Sequence, residues 1–217
     1  MSDATLSSLE SIALLLVGWL LGTLSPAIVD AIKRRRENAL GREAILGELN
    51  EIAHRLALAR HSVIMHRGKV NRQALEWLKK HLENYAGVHE IDSLMKNMRT
   101  QLSWPDAQIT DVSRATAGEP NKGLTLQKYA VPLLDARVSA LWSFNSSFTR
   151  KLLDIRANID LLNDIVDRSR HYSDMTFGSA TGDNHRRAVQ NVEDCYVQYA
   201  QLALSVVDKI TELRSLS

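Results

Sequence analysis

Apolar residues recur at three- and four-residue steps along most of this 217-residue chain, the pattern of helices that bury one stripe of their surface. In the C-terminal stretch Val189, Val192, Tyr196, Tyr199, Ala203, Val206, Ile210 and Leu213 keep that rhythm for over three heptads. Val138, Leu141, Asn145, Phe148, Leu152, Ile155, Ile159, Leu162 and Val166 do the same between about Pro132 and His171. Read as one helix opened by its proline, that segment would be ~60 Å long. Upstream, Ile45, Leu49, Ile52, Leu56, Ala59 and Val63 predict the first helix of the body. Leu75, Leu78 and Leu82, then Ile91, Leu94, Met98 and Leu102, predict a second helical segment from about Asn71 to Ser103, with a break near Gly87 that is either a kink or a turn. There is little sustained period-two alternation, so the fold class expected is all-α, a long helical bundle with coiled-coil-like seams.

One stretch departs from the one-stripe pattern. LESIALLLVGWLLGTLSPAIVDAIKRRREN, residues 9–38, is apolar on every helical face and then abruptly basic. Nineteen uncharged residues, Ser11 to Val29, lie between Glu10 and Asp30, and as a helix they would reach ~29 Å, about one bilayer. A secretory signal carries its basic residues before the apolar core, whereas Asp3 and Glu10 come before this one and Lys33, Arg34, Arg35 and Arg36 follow it. The reversed polarity predicts an uncleaved anchor with the basic flank on the cytoplasmic side. The expected topology is a short extracytoplasmic N-terminus (1–10), a transmembrane anchor (11–32) and a cytosolic bundle (33–217), single-pass in the cell's inner membrane. The competing reading is a buried core helix, favoured by the modest length and by Pro26. Gly18 and Gly22 have the GxxxG spacing that lets two spans approach closely, which predicts self-association. Trp19 reads as lipid-facing packing, and Asp30 as a local partner for Lys33 and Arg34.

Two stretches break the helical rhythm, about 104–123 and 172–184. In an up-and-down bundle the first would lie near the bilayer, with Trp104 at the interface, and the second at the far tip. Met175 and Phe177, with Arg186 and Arg187 beyond them, are the candidates there for binding a cytosolic protein partner; the alternative is that the two apolar residues tuck into the bundle end. Asn145, polar in the middle of an apolar seam, is expected to set register and oligomer number.

Charge and chemistry narrow the functions. The chain carries a net +2, of which +1 belongs to residues 1–36 and +1 to the rest, so nothing attracts nucleic acid globally. The basic run would instead favour anionic headgroups at about 1 kcal/mol per charge. The single cysteine, Cys195, excludes an internal disulfide framework and reads as an inert thiol. Glu51-Ile-Ala-His54 has the Glu-x-x-His spacing of di-iron carboxylate bundles, but that chemistry needs two such motifs. On the seam defined by Leu49, Ile52 and Leu56, His54 and Glu51 would face solvent. His61, His66, His81, His89, His171 and His185 show no ligand spacing, with His66 read as a helix-end residue. GSATGDN lacks the lysine and helix of a phosphate loop. Asp160, Asp164 and Asp167 read as a solvated helix face. No catalytic residue, metal ligand or cofactor is expected, and the protein is read as non-enzymatic. The leading expectation is a membrane-anchored, self-associating scaffold that presents its bundle to a cytosolic partner. The alternative is a signal-gated membrane-acting effector, as in bacterial phage defence, whose anchors assemble to perturb the bilayer. Both rest on architecture and on no single residue.

Overall fold

The computed structural model describes residues 3–87, 89–119, 123–178 and 182–215, with side chains throughout except at 3–13, 17, 20, 21, 24, 27, 139, 140 and 142. The elements are α1 (Asp3–His66), α2 (Arg72–Glu83), α3 (Asp92–Leu102), α4 (Asp106–Ala115), α5 (Pro132–Arg137), a 3-10 helix (Val138–Ser143), α6 (Ser146–Phe177) and α7 (Asp183–Ser215). There is no strand among the described residues, so the class is all-α. The chain divides into two units, Met1–Ala44 and Ile45–Ser217.

The first unit is the leading part of α1. Pro26 lies inside the helix without ending it. Leu14, Leu15, Leu16, Trp19, Ile28, Val29 and Ile32 are each more than half exposed, and Lys33 to Arg36 are exposed as well. A Cβ built on Gly18 or Gly22 meets nothing within 4 Å. Among the described residues no helix is long and apolar enough to cross a membrane; eight of the nineteen side chains of Ser11–Val29 fall outside that description.

The second unit is built on the predicted stripes. Ile45, Leu49, Leu56 and Val63 of α1, Leu152, Ile155, Ile159, Leu162 and Val166 of α6, and Tyr196, Tyr199, Ala203, Val206, Ile210 and Leu213 of α7 are buried in one core. α6 and α7 pack antiparallel, and polar pairs along their edges report the register: Lys151 with Glu212 at 2.5 Å, Asp154 with Lys209 at 2.7 Å and Arg168 with Gln198 at 3.1 Å. α2 adds Leu75, Leu78 and Leu82, α3 adds Met95 and Met98, and α4 adds Ile109. Arg72 ties the start of α2 to the α3–α4 junction, giving hydrogen bonds to Asp106 Oδ1 (2.5 Å) and to the carbonyls of Leu102 (2.9 Å) and Trp104 (2.6 Å). Residues 123–131 form a strap without regular structure, whose Leu126, Tyr129 and Val131 are buried.

Several expectations change here. The predicted helix from 132 to 171 is broken: α5 stops at Arg137, a 3-10 turn follows, and α6 begins only at Ser146. Asn145 lies in the break, exposed, as the N-cap of α6, and its side chain accepts the Ser147 N–H at 2.8 Å. That corrects its reading as a seam residue setting register: asparagine offers a side-chain oxygen to the unpaired amides of a helix start, and the following serines suit a first turn. The seams themselves close within one chain, so they are a core and not a surface for coiled-coil pairing with another copy. The expected loop 104–123 contains α4, and Trp104 packs partly buried against the core. The expected loop 172–184 shrinks, since α6 runs on to Phe177 and α7 starts at Asp183; residues 179–181 of it lie outside the described residues. The break near Gly87 is a true interruption between α2 and α3.

Replacing Asn145 by alanine is expected to cost about 1 kcal/mol through the lost cap, and Leu152→Ala roughly 2–5 kcal/mol through the cavity left in the core. Urea unfolding followed by circular dichroism measures both. Asn145→Leu should leave the oligomeric state unchanged by light scattering; a change of oligomer number would restore the register role.

Candidate functional site

α1 is covered on a second face. Asn50, His54, Ala57 and His61, at helical steps of four and three, are 8%, 3%, 0% and 9% exposed. α2 runs back along this face, and the result is a column of parallel rings. Trp77 and His81 of α2 stack at 6.1 Å between centroids. His81 stacks on His54 at 6.1 Å, and His54 on Tyr85 at 4.0 Å and on His89 at 5.5 Å, with planes within 20° of one another throughout. The Arg60 guanidinium closes the Trp77 end, 4.6 Å from the ring centroid.

Polar neighbours hold the column in place. The Tyr85 hydroxyl donates to the Glu51 carboxylate (2.9 and 3.1 Å), which also pairs with His89 Nε2 at 3.2 Å. Trp77 Nε1 donates to Asp208 (2.9 Å), and Arg214 donates to Asn50 Oδ1 (2.6 Å). Gly87 is required by this packing, because a Cβ there would occupy the place of the Tyr85 hydroxyl and of a Glu51 oxygen.

Burial favours the neutral form of His54 and His81. Burial lowers the His54 pKa, helped by His89 and Arg55 and opposed by Glu51. Burial, with His54 and Arg214, brings His81 down to about 4 against the pull of Asp208. His54 Nδ1 and His81 Nε2 are buried with no hydrogen-bond partner. Imidazole lone pairs lie in the ring plane, so parallel stacked rings do not aim their nitrogens at a common point. Accordingly, among the described residues no group of three His, Cys, Asp or Glu side chains is placed to hold a metal.

This corrects the expectation for Glu51 and His54. They do not face solvent; His54 is the centre of the column and Glu51 its half-buried clamp. The sequence carried two signals for it: the Asn50/His54/Ala57/His61 stripe, and Trp77, His81, Tyr85 and His89 at a strict four-residue interval. Neither stripe is apolar, so a search for apolar periodicity passes over both.

At the other predicted site, Met175 and Phe177 lie on the last turn of α6, 41% and 85% exposed. Phe177 borders a 360 Å³ cavity together with His66, Thr176, His185, Val189 and Tyr196. Arg186 and Arg187 are exposed on the first turn of α7, and Arg186 pairs with Asp183. Met175, Arg186 and Arg187 do not line the cavity. His66 is the last residue of α1 and sits edge-on to Tyr196. Cys195 is buried, and burial pushes its thiol pKa up, away from nucleophilic chemistry.

These features define a class, an all-helical domain whose second core face is a stack of histidine and aromatic rings. No family model matches the chain, and neither a curated protein nor a solved structure does, so function is argued from this geometry alone.

Gly87→Ala is expected to displace the Tyr85 hydroxyl from Glu51 and to cost roughly 1 kcal/mol or more, read as a lower urea midpoint; an unchanged midpoint would mean that the clamp contributes nothing. The histidines also predict a pH dependence. For His54, His61 and His81 the folded-state pKa lies below the ordinary 6.5, so the unfolded chain binds more protons in that window. Their contribution to stability is complete above about pH 6.5 and is lost as the pH falls towards 4. Urea midpoints at pH 7.5, 6 and 5 should decline, and His81→Phe, which keeps a stacking ring, should flatten the decline.

Proposed function

We propose that this chain is a membrane-anchored, self-associating, non-enzymatic interaction protein. In this reading residues 11–32 cross the inner membrane once with the N-terminus outside, and the helical domain on the cytosolic side engages another protein.

The observation that carries the reading is the exposure of large apolar side chains all round the leading part of α1. Successive helical residues are rotated by about 100°, so Leu14, Leu15 and Leu16 alone, 54–74% exposed, point in three directions. A helix with large apolar side chains exposed in several directions suits lipid as its solvent. By the same rotation the consecutive Lys33, Arg34, Arg35 and Arg36 encircle the helix. A collar of charge suits an upright helix whose cations meet headgroups; a helix lying in the interface would carry its charge on one side. Gly18 and Gly22 share one face, with open space where side chains would be, which suits close approach of a second span. On the domain, Phe177 supplies the exposed aromatic anchor and Arg187 a neighbouring charge for a partner surface.

A reporter active only in the cytosol, fused after Ser217, is expected to work, and replacing Lys33 to Arg36 by neutral residues should mix the two orientations. Gly18→Leu and Gly22→Leu should weaken self-association in a membrane reporter assay. Recovery of the chain in the soluble fraction without detergent would refute the anchor, and unchanged association of both glycine variants would refute the close-approach face.

A further inference from the structure

At its Arg60 end the ring column opens onto a 350 Å³ cavity between the C-terminal end of α1, the start of α2 and α7. Two kinds of surface meet there. Its lining combines apolar side chains, Ile64, Trp77 and Leu204 among them, with Arg60, Arg67 and Lys69, and no carboxylate is among the lining residues. Two acids meet groups of its lining from outside it. Glu193 pairs with Arg67 at 3.2 Å, and Asp208 is engaged by Trp77 Nε1.

Arg60 is the informative residue. Its Nε is buried with no hydrogen-bond partner, its guanidinium lies over the Trp77 face, and the field of Asp208 acts on it. A guanidinium N–H without an acceptor is costly to bury. Arg72, a few residues further on, shows the ordinary solution, with three of its nitrogens each bonded to an oxygen. Lys69 is exposed and joins no ion pair among the described residues. The first turn of α2, which also borders the cavity at Gln73, carries no acidic residue. Arg60 without a hydrogen-bonded carboxylate, an unpaired Lys69 and apolar neighbours call for one kind of molecule, an anion with an apolar body. The volume is several times that of a bare phosphate.

We infer that this cavity binds a phosphate ester, its phosphoryl oxygens accepting from Arg60 and Lys69 and its apolar portion lying against Ile64 and Leu204. Arg67 contributes charge at the rim but keeps its pair with Glu193. A nucleotide and a short lipid headgroup share this chemistry, so the ligand's source is decided by the test.

The full chain in neutral detergent is titrated calorimetrically with adenosine monophosphate, dihexanoyl phosphatidic acid, inorganic phosphate and adenosine. At least one of the two esters should bind with a dissociation constant below about 1 mM, about tenfold or more tighter than inorganic phosphate, and adenosine should not bind. Which ester binds names the source. Arg60→Gln and Lys69→Gln should each weaken that ester about tenfold. Because Arg60 also packs on Trp77, Lys69→Gln, at an exposed side chain with no ion pair, is the variant that tests the site without disturbing the fold. Binding of neither ester, inorganic phosphate binding as tightly as the esters, or ester binding unchanged by Lys69→Gln would each overturn the inference.

Discussion

The domain depends on the double burial of α1 between Ile45 and His66. Its first face, Ile45, Leu49, Leu56 and Val63, meets the α6–α7 pair as any amphipathic helix would. Its second face, Asn50, His54, Ala57 and His61, is just as dry but is built of amides, imidazoles and a small residue. A charge there would be expensive to remove from water, so each group is made neutral or is joined to a partner. His54 is neutral and lies flat against Tyr85; Asn50 accepts from Arg214; the clamp Glu51 sits at the edge, where water still reaches it and Tyr85 and His89 share it. Gly87 follows from the same constraint, since the Tyr85 hydroxyl takes the space of its missing side chain.

A similar accounting governs the strap. Buried backbone without a helix must find its hydrogen bonds elsewhere, and three long helices supply them from side chains. The Tyr196 hydroxyl accepts the Leu124 N–H at 2.7 Å and donates to its carbonyl at 2.9 Å. The Asn163 amide serves Tyr129 in the same two-way fashion, at 2.9 and 2.7 Å. The Glu48 carboxylate takes the N–H groups of Leu133 and Leu134 at the start of α5, at 2.9 and 3.0 Å. Polar residues that look solvated when α1, α6 and α7 are read as isolated stripes therefore carry the one long connection of the domain.

This explains what could be read from the sequence and what could not. The apolar stripes of α6 and α7 and the first face of α1 were legible because burial alone determines them, and nearly every residue named in those stripes is in the core. Asn145 misled because it falls on a three-and-four spacing by coincidence; local capping chemistry in the run Ser143 to Ser147 outweighed the register. The same bias joined α5 to α6 and left α4 unseen, since its Ile109, Val112 and Ser113 make too short and too polar a stripe to stand out. The ring column was hidden for a different reason. Solvent is the default for a histidine four residues from an amide, and only the return of α2 along α1 removes it, a tertiary fact that no local pattern in α1 contains.

Burial also distinguishes the two units when each is considered by itself. From Ile45 on, the large apolar side chains described on the long helices are mostly reduced to a few per cent exposure, and exceptions such as Leu153 and Leu161 stand singly along α6. Single exposed apolar residues are ordinary on a soluble surface. Between Leu14 and Ile32 the balance is reversed: the large apolar side chains described there, Leu14, Leu15, Leu16, Trp19, Ile28, Val29 and Ile32, are more than half exposed. Incomplete packing would leave one bare stripe beside a polar one. A helix whose described apolar side chains point in several directions, and which ends in four consecutive cations, suits the medium proposed for it, hydrocarbon bounded by headgroups. That distribution, more than the number of apolar residues, is the ground on which a bilayer is proposed as the partner of this segment.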